Sequence, residues 1–195
     1  MTGEILNIEQ VASICGVSIN RVNRWIRKKG LKALQQEGNR EKIEKDKLID
    51  FLLQHNMPLP ESIIPFKAKK ILFVYSSAMI DDLFVQFFFR FLEQIRKEVN
   101  CIIDYIAYGP NVKMKIMIFK PHLVLLDTAG SEIDAMNTAR FINNTDEFSM
   151  IKVASLVETI PTGVSNNDLQ NISVDAVVPR CIDIHSLIRK IEGLF

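Results

Sequence analysis

The sequence predicts an α/β protein with two domains: a small, mostly helical domain at residues 1–55 and a doubly wound, five-stranded parallel sheet at residues 69–195. Amphipathic helical patterns dominate the first part, whereas apolar runs of strand length alternate with helical patterns in the second. Between them, residues 56–68 contain three prolines within eight residues, and proline interrupts helices and favours extended chain. We interpret this segment as a short, stiff linker.

The composition excludes several classes of protein. The 195 residues are 48% hydrophobic and 24% charged, which indicates a globular chain rather than a disordered or collagen-like one. Cys15, Cys101 and Cys181 lie far apart without CxxC spacing, so neither a disulfide framework nor a zinc site is predicted. Because the sequence has no signal-peptide pattern and no apolar run that could span a bilayer, we expect a cytoplasmic protein.

Two short helices joined by a glycine turn are predicted at the start of the first domain. Residues 7–16 carry one apolar stripe and end at Gly16, whose backbone freedom suits a tight turn. Ser18 is placed to cap a second helix, which ends at Gly30. A hairpin within residues 31–43 and a third helix at residues 46–54 follow.

Positive charge is concentrated on the second helix. Residues 18–32 hold six Lys and Arg and no acid, although the net charge of the whole chain is only +1. A cationic helix after a tight turn suits the DNA major groove, where cations neutralise phosphates and Asn or Arg side chains reach base edges. A solvated face without a partner is the alternative. The candidate DNA-binding residues are Ser18, Asn20, Arg21, Asn23, Arg24, Arg27 and Lys28 on the helix, and Arg40 and Lys42 on the hairpin.

The second domain alternates strands and helices. The predicted strands are residues 71–75, 102–107, 122–127, 152–155 and 176–178. The predicted helices are residues 81–99, 112–119, 132–142 and 183–193, with a short one at about 166–171. Crossover helices between successive strands make the sheet parallel and place ligand sites at the carboxyl ends of the strands.

Residues 4–57 resemble the excisionase-type, MerR-like winged helix-turn-helix domain. The resemblance lies in the runs LNIEQVA from Leu6, GVS from Gly16, VNRWI from Val22, GLKA from Gly30 and DKLIDFL from Asp46. It implies that residues 18–28 form a recognition helix and that the hairpin is a wing.

Residues 69–195 resemble the receiver domain of bacterial response regulators, a flavodoxin-like fold. The best signature is the run KPHLVLLD, from Lys120 to Asp127. The resemblance implies that Asp127 is the phosphoacceptor candidate and that Ser155 occupies the position of a hydroxyl residue. Arg180 stands where the family has a lysine.

The chain departs from the receiver pattern at the metal site. Receivers carry two acids at the end of the first strand, where this sequence has the neutral residues Tyr75 and Ser76. Asp81 and Asp82 lie too far along the chain to replace them, so we expect poor Mg²⁺ binding and no other cofactor. Arg180 can pair with Asp127 without phosphate, which predicts a phosphorylation-independent receiver. A purely structural role for Asp127 is the alternative.

Two further classes of protein find little support in the sequence. Asp104, Ile106 and Gly109 match the cobalamin-binding spacing Asp-x-His-x-x-Gly, but isoleucine replaces the histidine that would bind cobalt. An enzyme is not expected, because the three histidines have no nucleophile or carboxylate at a readable spacing. They are His55, His122 and His185.

The sequence therefore predicts a DNA-binding transcriptional regulator of the response-regulator type. Its expected partners are double-stranded DNA, a histidine kinase or another signalling protein, and a second copy of the chain, without a membrane. The alternative is a two-component signalling adaptor in which both domains bind proteins.

Overall fold

The computed structural model describes residues 4–36, 40–79, 83–158, 174–180 and 183–195. The chain divides into two compact units, Met1–Phe66 and Lys67–Phe195. The proline-containing segment before the second unit includes a short 3₁₀ helix, Glu61–Ile63, whose Ile63 is fully buried. None of the described helices has the length and apolar character needed to cross a membrane.

The first unit combines three helices with a small antiparallel sheet. The helices are α1 (Ile8–Cys15), α2 (Ile19–Lys29) and α3 (Lys45–Gln54). The strands are β1 (Ile5–Asn7), β2 (Leu34–Gln36) and β3 (Arg40–Glu44), in the order β1-β3-β2. The three helices and the β2–β3 hairpin agree with the sequence prediction, while β1 is an additional strand. With three residues, β1 is too short for periodicity to reveal it.

Local sequence explains where the first two helices begin and end. Asn7 and Gln10 form a capping box, in which each backbone N–H donates to the other residue's side chain at 2.8 Å. Gly16 ends α1 in the left-handed region, with φ 62°, and so supplies the tight turn. Trp25 of α2 packs on Phe51 of α3, with ring centroids 5.3 Å apart, and joins the two helices in one core.

The second unit is a five-stranded parallel sheet with helices on both faces. Its strands are β4 (Lys69–Tyr75), β5 (Cys101–Ala107), β6 (Leu123–Asp127), β7 (Lys152–Val157) and β8 (Ala176–Pro179). Its described helices are α4 (Leu83–Glu98), α5 (Val112–Phe119), α6 (Glu132–Asn143) and α7 (Ile184–Glu192). The order β5-β4-β6-β7-β8 confirms the doubly wound fold that the sequence predicted.

The strand order determines where a site forms. From β4 the chain crosses to β5 on one side and then returns to β6 on the other, so the point where the strand order reverses, at which folds of this kind bind ligands, lies at the carboxyl ends of β4 and β6. All five residues of β6 are buried, as expected for a strand covered on both faces. The sheet therefore presents Asp127, the last residue of β6, at this edge.

Several sequence predictions lie outside the described residues. They concern the hairpin tip at 37–39, Asp81 and Asp82, the short helix at 166–171 and Cys181.

Candidate functional site

Helix α2 presents a polar, cationic face away from the core of the first unit. Val22 and Trp25 are buried on one side of the helix. With 3.6 residues per turn, Asn20, Arg24 and Arg27 project from the opposite side. Arg21 and Lys28 are also exposed, at the edge of this face, and Asn23 is half-buried. In the described part of the chain, no acidic side chain forms an ion pair with these four cations.

The ends of α2 are fixed by its flanking residues. The Ser18 hydroxyl accepts a hydrogen bond from the backbone N–H of Arg21 at 3.3 Å, so this predicted contact residue acts as the helix cap. Gly30 ends the helix with φ 82°. At the same end, Nε2 of His55 lies 3.2 Å from the carbonyl oxygen of Lys29. These contacts hold the cationic helix in place.

The hairpin places its two candidate residues on β3, the central strand of the small sheet. Lys42 is half-buried and is paired with Asn7 and Leu34 in the strand register. Because side chains alternate along a strand, Lys42 faces away from its buried neighbour Ile43. Arg40 is the first residue of the same strand.

Asp127 is completely buried at the end of β6, and both of its carboxylate oxygens have partners. Oδ2 accepts a hydrogen bond from Nη2 of Arg180 at 3.2 Å, and Oδ1 accepts one from the backbone N–H of Ala129 at 3.3 Å. The chain after β6 is held to β7, because the Thr128 N–H and hydroxyl both donate to the Leu156 carbonyl, at 3.0 and 2.7 Å. The positive charge of Arg180 thus offsets the negative charge of the Asp127 carboxylate.

Arg180 follows β8 and joins three strand ends. Its backbone N–H donates to the Val157 carbonyl at 2.7 Å, which anchors the turn to β7. Its guanidinium, 8% exposed, lies between Asp127 and Glu158, with Nη1 3.6 Å from Oε1 of Glu158. Since the Glu158 side chain is 71% exposed, this second ion pair is screened by water and contributes less than the buried one.

Tyr108 is a member of this site that the sequence analysis did not identify. Its hydroxyl donates to the backbone carbonyl of Asp127 at 2.9 Å, and its backbone N–H donates to the carbonyl of Tyr75 at 2.7 Å. Burial, together with the charges of Asp127 and Asp134, raises the pKa of the Tyr108 phenol well above its usual range. The sequence could have indicated Tyr108 only by its position directly after β5, which places it with Asp127 at the carboxyl ends of the strands.

The structure separates the remaining candidate residues by environment. Tyr75 belongs to an aromatic cluster, with its ring 5.7 Å from Phe73 and 5.3 Å from Phe89, and burial raises the pKa of its phenol. Ser76 and Ser155 are buried polar residues. Ser76 directly follows β4, whereas Ser155 lies within β7, which continues to Val157 beyond the strand end predicted at residue 155. The hydroxyl of Ser155 has no hydrogen-bond partner within the described chain.

The described residues do not fit a divalent cation at this edge. Mg²⁺ requires several hard oxygen ligands, usually including carboxylates. Here the end of β4 offers an aromatic residue of the core and a serine, and the Asp127 carboxylate is already engaged by Arg180 and a backbone N–H. In the ranges that the structure covers, no three acidic, histidine or cysteine side chains gather at any point.

A second buried ion pair involves β5, the outermost strand on one side of the five-stranded sheet. Asp104, in the middle of β5, pairs with Lys115 of α5, and both side chains are almost fully buried. The second carboxylate oxygen of Asp104 accepts the backbone N–H of Tyr105 at 2.9 Å. Burial raises the pKa of Asp104, and Lys115 partly offsets this effect. The residue that matched the cobalamin spacing therefore ties a helix to an edge strand.

Comparisons with known proteins describe the two units separately. Residues 5–56 match the helix-turn-helix domain family. The second unit has the fold of response-regulator receiver domains, as the comparison with solved structures shows. No curated protein matches the sequence.

Three solved receiver domains illustrate the likeness. A response regulator from Chloroflexus aurantiacus has a TM-score of 0.53 at 12% identity, over 66% of this chain and 98% of that one. The receiver domain of a DNA-binding response regulator (merR) from Colwellia psychrerythraea has 0.51 at 18%, over 65% and 97%. That of a sensor histidine kinase from Pseudomonas aeruginosa, solved with magnesium in its active-site cleft, has 0.51 at 14%, over 65% and 97%. At these identities the likeness establishes the fold.

Proposed function

We propose that the protein is a DNA-binding transcriptional regulator of the response-regulator type. In this proposal α2 enters the major groove, and the receiver-fold unit acts without phosphorylation. The first part is supported by the exposed cations of α2 within a helix-turn-helix domain. The second part is supported by the single observation that carries the proposal: the completely buried Asp127 is already paired with Arg180.

Two features of this site oppose phosphorylation. The first is the burial and pairing of Asp127, and the second is the donor set available for a metal ion. A phosphodonor must reach a carboxylate oxygen, but Asp127 has no exposed surface and Arg180 covers Oδ2. Phosphoryl transfer also depends on a metal ion to offset the charge that develops on the phosphoryl oxygens. The described donor set does not supply a site for that ion. We therefore propose that a histidine kinase or another signalling protein acts on this unit by docking.

A salt series of DNA binding tests the first part of the proposal. For a protein that contacts phosphates, the logarithm of the association constant falls linearly with the logarithm of salt concentration, with a slope of about −0.9 per phosphate neutralised. We expect such a slope for the full chain. The double substitution Arg24→Ala and Arg27→Ala should reduce the slope by about two units.

Lys47→Ala is the matched control, because Lys47 is an exposed cation on α3 that lies within 3.9 Å of Asp50. This variant should bind DNA like the wild type. Salt-independent retention of DNA, or an equal loss in the α3 variant, would contradict the groove-binding role of α2. Weak, nonspecific retention of DNA would instead favour a signalling adaptor that binds only proteins.

Incubation with a small phosphodonor and Mg²⁺, read by intact mass, tests the second part. We expect no adduct on the wild-type protein. A phosphoryl adduct that disappears in Asp127→Asn would refute phosphorylation independence. Light scattering after size-exclusion chromatography, with and without DNA, measures whether the regulator is a homodimer, which is part of the proposal.

A further inference from the structure

We infer that the first turn of α2 reads an A·T base pair in the major groove, with Ile19 contacting the thymine methyl group and Asn20 or Asn23 hydrogen-bonding the adenine. This inference rests on the proposed DNA-binding function and specifies the base sequence that the helix selects. It adds Ile19, an apolar residue, to a surface that had been defined by polar and charged side chains.

The exposure of Ile19 is not explained by the packing of the first unit. Ile19 is the first residue of α2 and is 46% exposed, whereas the apolar residues that hold this helix, Val22 and Trp25, are buried. A β-branched side chain also has lower helix propensity than a straight one. The stability of the unit therefore gains little from isoleucine at this position, and the exposed part of the side chain is available for contact with DNA.

Ile19 belongs to the same surface as the two asparagines. Residues three and four positions apart on a helix are neighbours, about 5–6 Å apart at Cβ, which brings Asn23 next to both Ile19 and Asn20. That spacing is comparable to one or two base-pair steps of roughly 3.4 Å each. The three side chains are uncharged; Arg21 lies between the two asparagines in the sequence, at the edge of the cationic face, and Arg24, Arg27 and Lys28 follow them on the helix.

The chemistry of these side chains matches one base pair. In the major groove only thymine presents a methyl group, and adenine presents the N7 acceptor and N6 donor that an asparagine amide pairs with. Residues near the start of a recognition helix are those that contact base edges. Ile19 and the two amides therefore place A·T readout at the start of α2, where Arg21 is available to a neighbouring phosphate, and the later cations Arg24, Arg27 and Lys28 to guanine and phosphate contacts.

A selection experiment with the full chain provides the DNA to test this inference. Duplexes with a random central segment are enriched by binding to the wild-type protein, and the selected site is sequenced. We expect a fixed A·T pair in each half-site. Each selected thymine is then replaced by deoxyuridine, which lacks only the methyl group. Losing one buried methyl contact should weaken wild-type binding about fourfold.

Variants connect the methyl group to Ile19. Ile19→Ala should bind the thymine site about fourfold more weakly and should lose the preference for thymine over deoxyuridine. Asn20→Ala or Asn23→Ala should relax selection of adenine by about fivefold or more. Ile5→Ala is the matched control, since Ile5 is 43% exposed on β1, outside the recognition helix, and should keep the full preference.

The inference and the proposed function fail in different ways. If a site is selected but carries G·C at every fixed position, or if Ile19→Ala still distinguishes thymine from deoxyuridine, the A·T readout is refuted while DNA binding stands. An equal loss of the thymine preference in Ile5→Ala would also refute it. If no duplex is enriched and binding is insensitive to salt, the DNA-binding function itself is wrong.

Discussion

Breaking the Asp127–Arg180 pair should destabilise the second unit strongly. In Arg180→Met the Asp127 carboxylate remains completely buried and loses the 3.2 Å ion pair with Nη2 of Arg180, while the 3.3 Å hydrogen bond from the Ala129 N–H stays in place. Removing one partner of a buried ion pair typically costs about 3–5 kcal/mol, because the other charge stays buried and loses its oppositely charged neighbour. We expect the free energy of unfolding of the second unit to fall by that amount.

The compensating double variant separates the pair from the shape of its side chains. Asp127→Leu combined with Arg180→Met removes both charges and keeps apolar groups of similar length, so its stability should return to within roughly 1–2 kcal/mol of the wild type. The double-mutant cycle then yields the coupling energy between the two charges. That value should exceed about 2 kcal/mol in favour of the pair.

The two units can be followed by different probes in one urea titration. Trp25, the single tryptophan of the chain, lies in the core of the first unit, so its fluorescence reports the unfolding of that unit. Far-UV circular dichroism reports both units. We expect Arg180→Met to shift the dichroism transition and to leave the fluorescence transition in place. A shift below about 1 kcal/mol would refute a dry, paired Asp127, because exposed pairs contribute only that much.

Three further predictions concern a helix cap, a titrating carboxylate and a thiol. Asn7→Ala removes the capping box of α1 and should lower the stability of the first unit by about 1 kcal/mol, seen as an earlier fluorescence transition in urea. Asp183 caps α7, and hydrogen bonds from Ser186 lower its pKa below the ordinary value of 3.8. The contribution of ionised Asp183 to the stability of the second unit is therefore present above that pH and is lost as the pH falls through the lowered pKa of the folded state. The variant Asp183→Asn should remove this part of the acid sensitivity, which a pH series of thermal unfolding measures. Burial raises the pKa of the Cys101 thiol to about 11, so iodoacetamide at pH 8 should leave Cys101 unmodified in peptide mapping until the second unit unfolds, and rapid native labelling would contradict its burial.

Element type and order could be read from the sequence wherever a segment was long and strongly patterned. The strand at Leu123–Asp127 begins with four consecutive apolar residues shortly after Pro121, and α2 lies between a serine cap and a glycine stop, so local sequence patterns indicate both elements. Strand β1 was not predicted because only one of its three side chains is buried, which is too short a pattern to indicate a strand. Its place comes from pairing with β3, a contact between distant parts of the chain.

The site shows the same division between local and tertiary information. The resemblance to receivers marked Asp127 and Arg180 at strand ends, where parallel topology gathers side chains at one edge. Tyr108 was missed because its role depends on a hydrogen bond to a backbone carbonyl 19 positions further along the chain, which no spacing in the sequence encodes. Asp104 was interpreted as a strand-face residue, and only the packing of α5 on β5 brings Lys115 to it.

The paired Asp127 also constrains how the proposed regulator can be controlled. In an ordinary two-state switch, a ligand shifts the equilibrium only by the difference between its affinities for the two states. A phosphodonor would have to reach a completely buried carboxylate whose Oδ2 is paired with the Arg180 guanidinium, and we expect burial and pairing together to oppose that step. A docking protein does not meet this barrier, because it can bind the outer surface while the pair stays intact. Control of the proposed regulator is therefore expected through protein partners or through its own concentration, and replacing Arg180 should change stability far more than it changes DNA affinity.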